Sequence, residues 1–494
     1  MAPALSLADR AIVVAGFMGA GKTTVGKALA RRLRRPFVDL DREIERVASA
    51  RIADLFAREG EESFRRREAA VAADVLGHPD RPVIALGGGS LGSEATRALL
   101  REHAFVAWLD VDRETAWSRA AGPGRPLTAD RAEFDRLWAE RRAGYAAAAD
   151  AIVDAGASAT FVSGALAQQV WTRPGVLEIA GGGDGRVFRI VDAAVADRVA
   201  SDLVLDGGEA GKSPAGVEQL WRALADAGLE RGDRVLAVGG GAVTDVVGFA
   251  AATFRRGIAW IAAPTTLVGQ VDAAIGGKTA IDVAAKNDVG AFWTPQAVLS
   301  DPELLATLPP AEWSAGFAEC LKTALLAGGP LWELVRELRS GRPSDAAQAE
   351  LVRRCAGFKS LVVAEDPRES GLRAILNLGH TVGHGVESAA GYGAVRHGEA
   401  VAIGLVAALR LSTRLAGLDE AVVDEVCELL AGHGLPRSAP GLSSADVLAA
   451  MRHDKKRAGG THRFVLLESL GKPVRNVEVP DALVDEVVSA AVRA

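Results

Sequence analysis

Residues 380–399 begin His-Thr-Val-Gly-His and end His-Gly-Glu, placing three of the chain's eight histidines within 18 residues. Nitrogen donors packed this densely point to a metal site. If the first part is helical, His380 and His384 lie one turn apart on one face, and spacing alone pairs those two as ligands. Glu319 sits in the otherwise apolar helical stretch Gly316–Lys322. A carboxylate buried there is costly without a partner, and a metal shared with the histidines would supply one. Glu369, Arg373 and Asn377 recur every four residues ahead of His380, which predicts one helical face turned toward the cluster.

A second chemistry is written near the start. Gly16-Phe-Met-Gly19-Ala-Gly21-Lys22-Thr23, followed by Thr24, matches G-x-x-x-x-G-K-[ST] between a strand-like run and a helical one. Such a loop curls backbone N–H groups round phosphates, Lys22 reaches the β/γ-phosphates, and Thr23 ligates Mg²⁺. Asp39 and Asp41 alternate at the end of a strand-like segment, which predicts both carboxylates facing one cleft. Arg65, in Phe-Arg-x-x-Glu68, suits an anionic substrate, and Gly87-Gly88-Gly89 ends another strand with bare backbone open to a ligand. Ala121–Leu127 reads as a lid whose Arg125 can close over a transferring phosphoryl group.

A third group follows. Gly239-Gly240-Gly241, with Asp245 shortly after, again joins a strand to a helix, a phosphate-cradle geometry. Asp206, Glu209 and Lys212 lie on a turn suited to ribose hydroxyls. Thr265 and Thr266 place hydroxyls after a strand. Asp272, Lys278, Lys286 and Asn287 populate a Gly-rich segment suited to an anionic, hydroxyl-rich substrate, and Lys455 and Lys456 add late positive charge.

These groups need elements to hold them. Strands are expected at Ala11–Ala15, Val83–Leu86, Phe105–Leu109 and Ala151–Val153, then at Val187–Val191, Leu203–Leu205, Val235–Val238 and Ala259–Ala262. Helices are expected at Lys22–Leu33 and Ala215–Ala227, and a linker or domain edge at 156–175. After Asp301 the pattern turns helical, with one late strand at Arg463–Leu467. The class is α/β. A chain of 494 residues exceeds one core of about 250–300 residues, so two or three domains are expected. Hydrophobic content of 49% and charged content of 24% are those of a soluble protein, and a net charge of −6 gives no reason to expect a nucleic-acid partner. Cys320, Cys355 and Cys427 are too scattered for a disulfide framework, which suggests a reducing, cytoplasmic setting. No signal peptide is expected, and no run reaches the ~18 apolar residues of a membrane span.

Over residues 8–165 the phosphate loop, D-x-D, F-R-x-x-E, G-G-G turn, lid R-P-L and the Arg141–Tyr145 segment resemble shikimate kinase. The resemblance implies a P-loop domain with a parallel sheet (1–168) and transfer of phosphate from ATP, with Mg²⁺, to the shikimate 3-hydroxyl. Lys22, Asp41 and Arg125 would be its catalytic groups, and Gly16, Gly19, Gly21, Thr23, Thr24 and Asp39 would serve ATP and Mg²⁺. Asp41, Arg65, Gly87, Gly88, Gly89 and Arg141 would bind shikimate. The family's Pro between Arg141 and Tyr145 is missing here, so Arg142 stands as the alternative to Arg141. Another small-molecule P-loop kinase is the runner-up.

Over about 175–480 the motifs G-G-G-x-x-x-D, P-T-T-L, G-G-K-T, A-E-x-x-K, L-N-x-G-H-T-x-G-H, H-G-E-A-V and D-K-K, in order, resemble 3-dehydroquinate synthase. That implies a Rossmann-like NAD-binding α/β domain (175–300), then an all-helical metal- and substrate-binding domain (301–494). The reaction would convert 3-deoxy-D-arabino-heptulosonate 7-phosphate to 3-dehydroquinate and phosphate. The implied metal ligands are Glu319, His380 and His397, holding Zn²⁺ or another divalent cation such as Co²⁺. His384 is left to acid/base or substrate contacts. NAD⁺ would meet Asp206, Glu209, Lys212, Gly239, Gly240, Gly241, Asp245, Thr265, Thr266, Asp272, Lys278 and Lys286. The sugar phosphate would meet Arg256, Asp272, Lys278, Asn287, Lys322, Arg373, Asn377, His384, Lys455 and Lys456. Catalysis would fall to Lys278, Glu369, Arg373 and His384, with Arg256 reaching across a homodimer interface. The loop after Lys278 is one residue shorter than usual, and Val283-Ala284-Ala285 replaces a typical Pro and Gly. Another sugar-phosphate cyclase is the runner-up. All partners implied are small molecules.

Overall fold

The computed structural model describes residues 10–120, 130–181, 185–391, 393–455 and 462–493, with side chains omitted at 453–455. They form two compact units. One comprises residues to Pro264 with Ala274–Asp301 and Ala356–Glu365; the other comprises Thr265–Ala273, Pro302–Cys355 and the chain from Asp366 onward.

The first unit contains two parallel sheets. β1 (Ala11–Gly16), β2 (Phe37–Asp39), β3 (Val83–Ala85), β4 (Ala104–Asp110) and β5 (Ala151–Asp154) form a five-stranded sheet in the order β2-β3-β1-β4-β5. β1 and β4 are buried at every position, as continuous apolar runs require when helices cover both faces. β1 feeds the phosphate loop and then the helix Lys22–Leu33, which matches its predicted bounds. β2 ends at Asp39, and Asp41 belongs to the first turn of the helix Leu40–Ala48. Strand alternation therefore does not pair the two carboxylates; an acidic helix start follows the strand directly.

The second sheet uses β6 (Val170–Thr172), β7 (Val187–Asp192), β8 (Leu203–Leu205), β9 (Arg234–Gly239), β10 (Ala259–Pro264) and, after the hairpin β11 (Lys278–Ile281) and β12 (Val289–Phe292), β13 (Val298–Ser300). Its order is β6-β13-β10-β9-β7-β8. The stretch expected as a linker or domain edge holds the helix Ala159–Ala167 followed by β6, which pairs with β13 from Val170↔Val298 to Thr172↔Ser300. Its small residues pack rather than connect. Trp171 is fully buried, its ring 4.8 Å from that of Phe105, and one hydrophobic core runs through both sheets.

The second unit is mainly helical. A hairpin of β14 (Arg463–Ser469) and β15 (Lys472–Glu478) is the exception to the all-helical expectation, and its first strand covers the predicted Arg463–Leu467. Two close approaches set the geometry of this unit. A Cβ on Gly404 would lie 1.9 Å from the Gly379 carbonyl oxygen, and one on Gly398 would lie 1.9 Å from that of Ala315. Only glycine lets the helix His397–Leu415 come so near the helices His380–Ala390 and Pro310–Ala327. Ala315 lies one turn before Glu319, so the contact at Gly398 carries His397 to that carboxylate.

Candidate active sites

In the first sheet the loop after β1 rests on Gly19 (φ 82°) and Gly21 (φ 84°), conformations that L-residues with side chains rarely adopt. Lys22 Nζ donates to the carbonyls of Gly16 and Phe17 at 2.8 and 3.1 Å, folded back over the loop it would serve. Thr23 Oγ1 donates to Asp39 Oδ2 at 3.0 Å, pairing the two groups suited to a Mg²⁺ shell. Thr24 is exposed.

The triple-glycine turn gathers the substrate candidates one by one. A Cβ on Gly87 would lie 2.5 Å from Asp41 Oδ1, one on Gly88 3.4 Å from Arg141 Nη1, and one on Gly89 2.8 Å from Arg65 Nη2. Arg141 and Tyr145 both donate to the Gly88 carbonyl, at 3.1 and 2.6 Å. Glu68, which is buried, holds Arg65 at 2.8 Å. Arg142 turns elsewhere, forming a bidentate pair with Asp110 at 2.6 and 3.0 Å and lying over the rings of Trp108 and Trp138. Arg141 is therefore the arginine beside the glycines. Burial, and next the charge of Asp39, pushes the Asp41 carboxyl up to about 6, against the pull of Lys22. A carboxyl tuned this way suits a general base near neutral pH. Arg125 lies outside the described residues.

In the second sheet the Gly239-Gly240-Gly241 turn leads from β9 into the helix Gly241–Thr253, whose N-terminal N–H groups suit a phosphate. Around it Lys212 Nζ meets Asp245 Oδ2 at 2.9 Å and also Asn287 Oδ1, and Lys286 Nζ lies 3.6 Å from Glu209 Oε1. Asn287, expected at the sugar phosphate, lies against Lys212, expected at the cofactor. Burial raises the Asp245 carboxyl to about 6 despite Lys212. The shortened loop is closed by Asp288, whose carboxylate accepts the N–H groups of Val283, Ala284 and Ala285 at 2.9, 3.0 and 3.2 Å. Asp206 is exposed, Lys278 starts β11, and Arg256 is exposed with φ 65°.

The second unit brings Glu319, His380 and His397 together, one ligand atom of each lying within 4.8 Å of the others. Glu319 is fully buried, with Oε1 3.1 Å from His397 Nε2 and 3.7 Å from His380 Nε2. Burial, and next Lys322, pushes His380 down to about 3, so its imidazole is neutral and offers a lone pair. Two imidazoles and a carboxylate are the protein donor set of a catalytic divalent-metal site. Lys322, itself buried, links Glu319 Oε2 at 2.5 Å to Asp272 Oδ2 at 3.5 Å. His384 is exposed, its ring 5.2 Å from that of His380 and 6.3 Å from that of His397. Thr266 Oγ1 accepts the Gly269 N–H at 3.1 Å, and Thr265 is buried.

The expected helical face ahead of His380 does not form. Glu369 sits in a turn at φ 56°, Arg373 begins the short 3-10 helix Leu372–Asn377 with Leu372, and Asn377 is exposed. Pro367 and the four acceptor bonds of Asp366 replace the helix there. Asp366 takes N–H bonds from Ser370, Gly371 and Arg373 at 2.8, 2.7 and 3.0 Å, and the Ser370 hydroxyl at 3.0 Å. Sequence reasoning passed over Asp366 although an Asp-Pro pair is a turn signal. Lys455 ends the helix Ser444–Lys455, and Lys456 lies outside the described residues.

Comparison with known proteins agrees with this division. Residues 18–171 match the family model for shikimate kinase, 202–315 that for the 3-dehydroquinate synthase N-terminal region, and 316–457 that for its C-terminal region. The 3-dehydroquinate synthase of Acidithiobacillus ferrooxidans is 42% identical over 298 residues, 60% of this chain and 82% of the relative. Among solved structures, 2-deoxy-scyllo-inosose synthase with carbaglucose-6-phosphate, NAD⁺ and Co²⁺ is 28% identical, covers 62% of this chain and 91% of its own, and has a TM-score of 0.57. The 2-epi-5-epi-valiolone synthase of Streptomyces hygroscopicus subsp. jinggangensis, with NAD⁺ and Zn²⁺, is 28% identical with a TM-score of 0.58 and coverage of 65% and 95%. The chain belongs to the 3-dehydroquinate synthase family and carries a shikimate kinase domain ahead of the synthase.

Proposed function

We propose that the chain works as a bifunctional enzyme of the shikimate pathway with each activity resting on the groups described above. One activity phosphorylates shikimate to shikimate 3-phosphate with ATP; the other converts 3-deoxy-D-arabino-heptulosonate 7-phosphate to 3-dehydroquinate and phosphate. The observation that carries the pairing is that two sets of groups occur in one chain: Asp41, Arg141 and Arg65 on three successive glycines, and Glu319, His380 and His397 with one ligand atom of each within 4.8 Å of the others.

In the kinase, Lys22 and the loop N–H groups hold the phosphates while Thr23 and Asp39 order Mg²⁺. Arg65 and Arg141 hold the shikimate carboxylate, and Asp41 accepts the proton of the attacking hydroxyl. In the synthase, Glu319, His380 and His397 would hold Zn²⁺ or Co²⁺, and the residues round Lys212 and Gly239–Gly241 would hold NAD⁺. Bound there, the cation supplies a Lewis acid and NAD⁺ a hydride acceptor that is regenerated within the cycle. Lys322 and Arg373 hold the anionic substrate, and His384, open to solvent, moves a proton during phosphate loss. We assign the protein to the cytoplasm and to a homodimer through the synthase part, with Arg256 completing the neighbouring site. Among the described residues no helix is long and apolar enough to cross a membrane.

The test assays one preparation for both reactions. ATP turnover should depend on shikimate, and phosphate release from the heptulosonate phosphate should yield 3-dehydroquinate. A cyclitol product instead would favour another sugar-phosphate cyclase. ATP turnover indifferent to shikimate would favour another small-molecule kinase.

A further inference from the structure

His380, His384 and Glu387 occupy positions i, i+4 and i+7 of the helix His380–Ala390, and so share one face. Glu387 is buried, 6% exposed. Its Oε2 lies 3.4 Å from Nδ1 of His397, whose Nε2 is 3.1 Å from Glu319 Oε1. A neutral imidazole presents Nε2 to a cation only when its proton sits on Nδ1, and an acceptor at Nδ1 selects that tautomer. His380 obtains such an acceptor from the backbone, the Leu378 carbonyl oxygen lying 3.2 Å from its Nδ1. His397, at the first position of its helix, obtains a carboxylate instead.

We propose that Glu387 is a positioning residue of the metal site: it accepts the Nδ1 proton of His397, fixes the ring and its tautomer, and directs Nε2 to a divalent cation shared with Glu319 and His380. This rests on the reading of those three residues as the metal ligands. The carboxylate does two things a backbone carbonyl does less well. Its negative charge makes the imidazole a stronger donor, and its placement on the neighbouring helix ties the orientation of His397 to that of His380.

The experiment measures Zn²⁺ affinity of the full chain, stripped with a chelator, by competition with a chromophoric chelator. Glu387→Ala should weaken Zn²⁺ binding about 10–100-fold, the usual consequence of losing such a partner. Glu387→Gln, which keeps an oxygen to accept the Nδ1 proton but no charge, should fall between. His397→Ala, as the reference for the ligand set, should abolish binding at that site. The thermal midpoint of each stripped variant separates a structural role, which would lower it, from a positioning role, which would leave it near the parent. Unchanged Zn²⁺ affinity in both Glu387 variants, beside loss in His397→Ala, overturns the proposal. Normal binding in His397→Ala overturns the ligand reading beneath it. If Glu387→Ala does not fold, the isosteric Gln variant decides alone, and parental affinity there counts against the proposal.

Discussion

Asp41 carries the sharpest expectation at the scale of single residues. Its carboxyl is raised to about 6 by burial and then by Asp39, and a base must be ionised to accept a proton. Kinase kcat/KM for shikimate should therefore fall as pH drops below about 6, and Asp41→Asn should lose about 10²–10⁴-fold while the acidic limb disappears. A pH profile flat down to pH 5 would remove Asp41 from that role. Lys22→Met removes the charge now held by the Gly16 and Phe17 carbonyls. Kinase turnover should drop about 10²–10³-fold, with synthase turnover unchanged; equal loss in both reactions would mean that the sites are assigned wrongly. His380→Ala should lower bound metal and abolish synthase turnover. His384→Ala should slow turnover with the metal retained, because His384 is exposed beside the trio. Elemental analysis distinguishes them, and equal metal loss would restore the i,i+4 pair as ligands.

Among the elements, the turn closed by Asp366 matters most. Hydrogen bonds from the backbone N–H groups, that of Arg373 foremost, hold the Asp366 carboxyl well below the ordinary carboxylate range. The sign follows directly. A carboxyl depressed in the folded state stabilises the turn above its unfolded value of about 3.9, and that contribution is lost as pH falls toward the folded value. The turn carries Glu369 and Arg373, so Asp366→Ala should reduce synthase kcat at neutral pH while kinase turnover in the same sample stays at the parent level. An unaltered synthase rate would show that the turn holds its shape without the carboxylate. The periodicity ahead of His380 misled for the same reason. Residues four apart imply a helical face only when the backbone is helical, and Pro367 with the side chain of Asp366 offered it another set of hydrogen bonds.

At the scale of the whole chain, the kinase and the NAD-binding sheet do not read as beads on a string. Trp171, the last residue of the region matching the kinase model, is fully buried and lies under Arg10 and Arg173 at 5.9 and 5.1 Å from its ring. Thr172 N–H donates to the Asp150 carbonyl at 2.9 Å, joining β6 to the end of the kinase. Trp171→Ala should destabilise the kinase by about 3–5 kcal/mol. A fragment ending at 168 should lose activity at lower denaturant than the complete chain. The measurement is kinase activity against urea concentration, and coincident midpoints would show the kinase to be self-sufficient.

Motifs and periodicity determined much of this protein in advance. A G-x-x-x-x-G-K-T loop is legible because its chemistry lies in consecutive backbone groups, and buried parallel strands are legible as unbroken apolar runs. Helix Lys22–Leu33 and strand β8 appeared where the pattern put them. What lay beyond the sequence was proximity across long separations. Spacing favoured His384 as the partner of His380, yet the donor trio joins Glu319 and His397 through a glycine contact at Ala315. The choice of Arg141 over Arg142 depended on Asp110 and two tryptophans capturing the latter. The stretch read as a linker or domain edge does hold the end of the kinase match, but it is no linker: β13, more than a hundred residues later, offers it a hydrogen-bonding edge. Local chemistry is written in neighbouring residues; which distant side chains meet depends on packing, where a single absent Cβ decides how closely two helices approach.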